Sequence, residues 1–130
     1  MSQQTAGIRF SYDAGESITA YRVVALNTAG SAVVMWDTSS TQLLGVSADF
    51  ADSGGACQII IGGTAKLQCV LSVSAGAIVG PSTDSNGQIV ERSNNTTTSY
   101  AKNIGIALTA GSTNSVIEVL LMPSNRPASA

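Results

Sequence analysis

LLGVSADFADSGGACQIIIGGTAKLQCVL, Leu43 to Leu71, is the stretch that decides the fold. Leu43, Leu44 and Val46 flank Gly45, and a turn-rich segment runs from Ala48 to Gly55. Ile59, Ile60 and Ile61 then stop at Gly62-Gly63, a pair that tolerates the positive φ of a tight turn. Beyond it Ala65, Leu67, Cys69 and Leu71 alternate with Lys66, Gln68 and Val70, the period of a strand. The expectation is a hairpin, with Cys57, Ile59 and Ile61 facing Leu67 and Cys69 across Gly63. That would place the two cysteines on neighbouring strands, within reach of a disulfide.

Part of this stretch recurs. NIGIALTAGSTNSVIEVLLMP, Asn103 to Pro123, repeats the order apolar-Gly-apolar, Gly/Ser loop, β-branched run. Working outward, the segment from Gly15 and Ile18 through the NTAG turn (Asn27–Gly30) and AVVMW (Ala32–Trp36) matches AGAIV (Ala75–Val79), DSNG (Asp84–Gly87) and QIVE (Gln88–Glu91). We read an internal pseudo-duplication in which each half supplies about four short strands. Sustained helical periodicity is absent, and turns recur at strand spacing. The predicted fold is all-β, a small antiparallel β-barrel. The organisation is a flexible N-terminal arm (1–14), a barrel-like domain (15–123) and a C-terminal tail (124–130). Before the barrel, Ile8, Phe10 and Tyr12 alternate with Arg9 and Ser11 and read as a spare strand at a free edge. The polar run SNNTTTS, Ser93 to Ser99, reads as the most exposed loop.

Composition narrows the function. Charged residues are 11% of the 130, against about 25% in an average soluble domain, while 44% are hydrophobic. Such a chain folds, and its sparse surface charge suits a surface shared with partners. The net charge is −2 and the six basic residues are scattered, so no nucleic acid partner is expected. No apolar run reaches the ~20 residues of a membrane helix, so no membrane partner is expected either. MSQQTAGIRF lacks the basic and apolar regions of a signal peptide, which points to synthesis in a cytoplasm. There Cys57 and Cys69 read as two small buried hydrophobes rather than a bridge.

Catalytic chemistry finds little to work with. Histidine is absent, which removes the usual general base, the Ser-His triad and most zinc sites. The glycine pairs lack the helix and lysine of a phosphate loop. Asp49 with Asp52, and Asp13 with Glu16, could be imagined as a calcium or glycosidase pair, but aspartates close turns in the same way. Trp36 could stack on a sugar, though a lone Trp on an apolar strand reads as core. The reading is no enzyme, no cofactor and no metal.

The ordered set AGESITAYRVV, LLGVSADFADSGGACQIIIGGTAKLQCVLSVSAGAIVGPSTDSNGQIVE and NIGIALTAGSTNSVIEVLLMP, over Gly15 to Met122, resembles the head decoration (capsid cement) proteins of tailed bacteriophages. That resemblance implies a β-barrel or β-tulip subunit, assembly as a homotrimer, and a place on the outer surface of the virion. There it would clamp neighbouring major capsid protein subunits. Terminal arms that reach onto the capsid suggest Ile8, Arg9, Phe10 and Tyr12 as contact residues, by strand addition. The loops carrying Asp49, Phe50 and Asp52, and Thr113 and Asn114, are the second choice. The alternative is a receptor- or carbohydrate-binding β-domain of a tail fibre or adhesin.

Overall fold

The computed structural model describes residues 8–27, 30–36, 43–82, 87–91 and 103–124. Ten strands are found there: β1 (Arg9–Asp13), β2 (Val23–Leu26), β3 (Val33–Met35), β4 (Leu43–Ser47), β5 (Ala56–Ile60), β6 (Thr64–Gln68), β7 (Ile78–Pro81), β8 (Ile89–Glu91), β9 (Asn103–Ala107) and β10 (Val116–Ser124). No helix occurs among the described residues, as the missing 3.6-residue period requires. The expected small antiparallel all-β domain is what forms. Its strands divide into two five-stranded sheets, β1-β5-β4-β2-β3 and β6-β10-β9-β7-β8, rather than closing as one barrel.

The two orders are the same order, written twice. The duplication also holds residue by residue. Phe10 pairs with Ile59 as Ala65 pairs with Val119, and Tyr12 with Cys57 as Leu67 with Ile117. Val46 pairs with Ile60 as Ile106 pairs with Leu120. Outside the strands, the bridge Ile18–Ala51 returns as Val73–Gly111, and the parallel bridge Ala14–Val33 as Cys69–Ile89. Those parallel bridges draw the first strand of each sheet toward its last, so each repeat curls around its own interior without a ladder to close it.

This arrangement corrects three expectations. β5 and β6 are not a hairpin: β5 pairs with β1 and β4, and β6 with β10. Gly62-Gly63 instead carries the chain from one repeat to the next. Cys57 consequently sits in β5 and Cys69 just past β6, joined by a β-bridge to Ile89 of the other sheet, both buried and both free thiols. Third, the repeat begins at β1 and not at Gly15. Arg9–Asp13 runs antiparallel along all five residues of β5, so it is a strand of the domain rather than part of an arm. At the other end β10 continues past Pro123 to Ser124, which pairs with Asn103 after a bulge. The expectations for the first seven residues, the SNNTTTS loop and residues 125–130 lie outside the described residues.

Two apolar clusters result. The smaller one, Ala14, Ile18, Val24, Val33, Ala51, Cys57 and Ile59, fills the first repeat, with Phe10, Tyr12, Leu44 and Ile61 half-buried against it. The larger joins the interior of the second repeat, including Leu67, Val79, Ile104, Ile117 and Val119, to the outer face of the first, Val23, Val46 and Ile60. One repeat thus covers the other. Trp36 belongs to this seam and is 6% exposed, too covered to stack on a sugar.

Candidate contact surfaces

The sequence singled out Ile8, Arg9, Phe10 and Tyr12, and the pleat of β1 separates them. Phe10 and Tyr12 point toward the first-repeat core, their rings 6.4 Å apart in a T-shaped pair. The Tyr12 hydroxyl donates to the Gly30 carbonyl over 2.7 Å, tying β1 to the turn between β2 and β3. These two rings are therefore part of their own domain's packing. Ile8 and Arg9 remain exposed. Ile8 accepts a backbone hydrogen bond from Ile61 (2.8 Å), and its side chain lies over Gly62.

Arg9 lines a shallow groove of about 180 Å³ at the seam, together with Lys66, Glu118 and Tyr21. The seam is polar here. The Arg22 guanidinium donates to Gln68 Oε1 (2.8 Å), and the Gln68 backbone N–H donates to the Tyr21 carbonyl (3.1 Å). Burial lowers the Arg22 pKa from its ordinary value. Ser47, fully buried, holds the neighbouring loop: its hydroxyl donates to the Thr19 carbonyl (2.7 Å) and accepts from the Arg22 N–H (3.2 Å). Sequence reading missed Arg22, Ser47 and Gln68, since isolated polar residues in short strands carry no periodic signal.

The second-choice loops are better placed for contact. Residues 48–55 and 108–115 are equivalent, and each is braced by the same bonds. Ile18 and Ala51 exchange backbone hydrogen bonds (2.8 and 2.9 Å), as do Val73 and Gly111 (2.9 and 3.0 Å). Gly54 and Asn114 both sit at positive φ (86° and 65°) and donate to the carbonyls of Ala14 and Cys69 (2.8 Å each). On that rigid frame Phe50 is 60% exposed, with Asp49 and Asp52 exposed beside it. The second repeat has Ala110 at the place of Phe50, with Thr113 and Asn114 exposed.

Of the acid pairs, Glu16 accepts from the Met35 N–H (2.9 Å) and so ties the segment after β1 to the end of β3. Among the described residues no three His, Cys, Asp or Glu side chains gather within ligating reach. Burial, with a smaller contribution from Asp49, pushes the Cys57 thiol pKa up, and burial does the same for Cys69. Neither thiol is disposed to act as a nucleophile at neutral pH.

No family model matches the chain, and no curated protein does. A solved structure does: the N base of the head fiber gp8.5 in bacteriophage phi29. It superposes with a TM-score of 0.62 over 90% of this chain and 95% of that one, at 14% identity. The two proteins share a fold. Because the match covers nearly the whole of both chains, it includes both repeats rather than a single sheet.

Proposed function

We propose that this protein is a structural component of a phage virion that binds the outside of an icosahedral head and bridges major capsid protein subunits as a homotrimer. The observation that carries this reading is the two-repeat fold, shared over 90% of this chain with the N base of a phage head fiber. The decoration-protein resemblance of Gly15 to Met122 points the same way. Its work is binding, with no catalysis and no nucleic acid or membrane partner.

The contact we favour is the loop of the first repeat. Phe50 offers exposed aromatic area on a backbone already held by the paired Ile18–Ala51 bonds and the Gly54–Ala14 bond, so little ordering entropy is lost on docking. Ile8 and Arg9 at the start of β1 flank the free edge of the first sheet, where strand addition could contribute. Several such contacts on one oligomer gain affinity by effective concentration. The test is co-sedimentation of the purified protein with undecorated heads. Phe50→Ala should weaken binding by about tenfold, roughly 1.4 kcal/mol, without changing the unfolding midpoint. Wild-type protein that stays in the supernatant at all concentrations would end the reading.

A further inference from the structure

The repeats meet asymmetrically, and the asymmetry leaves two matching surfaces exposed. On the outer face of the first repeat, Val23, Val46 and Ile60 form a cross-strand row through β2, β4 and β5. This row is buried, 0%, 0% and 8% exposed, because it covers the interior of the second repeat. The same row exists in the second repeat, in the same register: Ile78 pairs with Ile106, and Ile106 with Leu120. There Ile78 is 48% and Leu120 38% exposed, and Ile106 is half-buried.

The complementary side shows the converse. Leu67, Ile104 and Leu121 line the interior of the second repeat and are buried in the shared cluster. Their counterparts in the first repeat, Tyr12, Leu44 and Ile61, are only half-buried. The chain therefore makes one interface between an outer row and a repeat interior. It then presents the same two surfaces again, one on each repeat, with nothing among the described residues to pair them.

We propose that a second copy of this chain pairs them. The Ile78–Ile106–Leu120 row of one copy seats over the Tyr12–Leu44–Ile61 side of the next copy's first repeat, in the head-to-tail sense already used between the repeats. An open sheet face in water ordinarily alternates apolar-in with polar-out, and three apolar residues abreast on the outer face break that rule. The row has the composition of a covered face, and the first repeat shows what covers it. Such an interface is heterologous: each copy uses one patch to give and another to receive, so copies form a ring or extend. It is weaker than its internal template. The Arg22–Gln68 hydrogen bond of the seam has Ala77 and Asp13 at the matching positions, so that polar bond is lost. This inference names the interface of the proposed homotrimer and rests on that part of the reading, but it does not depend on capsid binding.

The experiment is light scattering and sedimentation velocity on the full chain across a concentration series. Wild type should self-associate. Leu120→Lys should weaken association at least tenfold, with an unchanged circular dichroism spectrum and unfolding midpoint. Ile61→Lys, on the opposite patch, should do the same; Tyr12→Lys is the second choice if that variant fails to fold. A mixture of the row variant with the patch variant should recover a dimer and nothing larger, because one intact patch of each kind remains. Wild type that stays monomeric at about 1 mM overturns the proposal. So does a Leu120→Lys chain that associates like wild type. An Ile61→Lys or Tyr12→Lys chain that folds and keeps the wild-type oligomer also overturns it, since the row would then be pairing with itself. Loss of head binding by Leu120→Lys from a monomeric wild type would assign the row to the capsid instead, against the proposal.

Discussion

Gly45 lies against the carbonyl oxygen of Ile60, so close that a Cβ at residue 45 would come within 2.6 Å of it. Gly105 stands in the same relation to the Leu120 carbonyl, closer still. In each repeat the glycine lets one strand approach its neighbour just before the paired apolar residues, Val46 with Ile60 and Ile106 with Leu120. Neither glycine has a positive φ. Space, not backbone freedom, accounts for them.

Gly105→Ala should accordingly destabilise the protein by about 3 kcal/mol, since the backbone it meets cannot swing aside as a side chain could. Gly76→Ala makes the contrast. That residue has φ 88° and open space around its Cβ position, so the loss should be about 1 kcal/mol from conformation alone. Urea unfolding of both variants checks the pair. Equal losses would mean that the close approach at Gly105 is not real.

Ile59 is fully buried in the first-repeat cluster, whereas Ile61 is half-buried at its margin. Ile59→Ala should cost about 2–5 kcal/mol and Ile61→Ala clearly less, near 1 kcal/mol. Ile59 and Ile61 share a face, so reversed magnitudes in denaturant unfolding would place β5 two residues out of register.

Removing residues 1–13 should unfold the first repeat or nearly so. β1 supplies the neighbour of β5, and Phe10 and Tyr12 cover the smaller core. A truncated protein with the wild-type near-ultraviolet circular dichroism and unfolding midpoint would return these residues to the status of an arm.

The two thiols should resist alkylation in the native protein and react together only on unfolding. Their folded pKa values are raised, so the unfolded chain loses its thiol protons first as pH climbs. Their contribution to stability is therefore complete below the ordinary thiol pKa and is lost as pH rises above it. Unfolding midpoints should fall as pH rises above about 8.5, and Cys57→Ala with Cys69→Ala should flatten part of that slope. Rapid labelling of the folded protein would contradict the burial of both residues.

The chain on its own determined the class of the protein and the existence of its duplication. Alternating apolar residues between glycine and asparagine turns admit strands and little else. The echo of LLGVSA in NIGIAL marks two copies of one unit because both need a glycine at the same close approach. What the chain could not settle was which strands pair. Period-two alternation is satisfied by any partner, so Gly62-Gly63 looked like a hairpin turn when it is the passage between repeats. The same ambiguity made β1 look spare: its partner β5 lies more than forty residues away in sequence. Contact surfaces were legible only as loops. Ile78, Ile106 and Leu120 read in sequence like core strand residues, as their counterparts Val23, Val46 and Ile60 are. Only the stacking of one repeat on the other, which buries a face of the first and leaves the same face of the second outside, decides which row meets water.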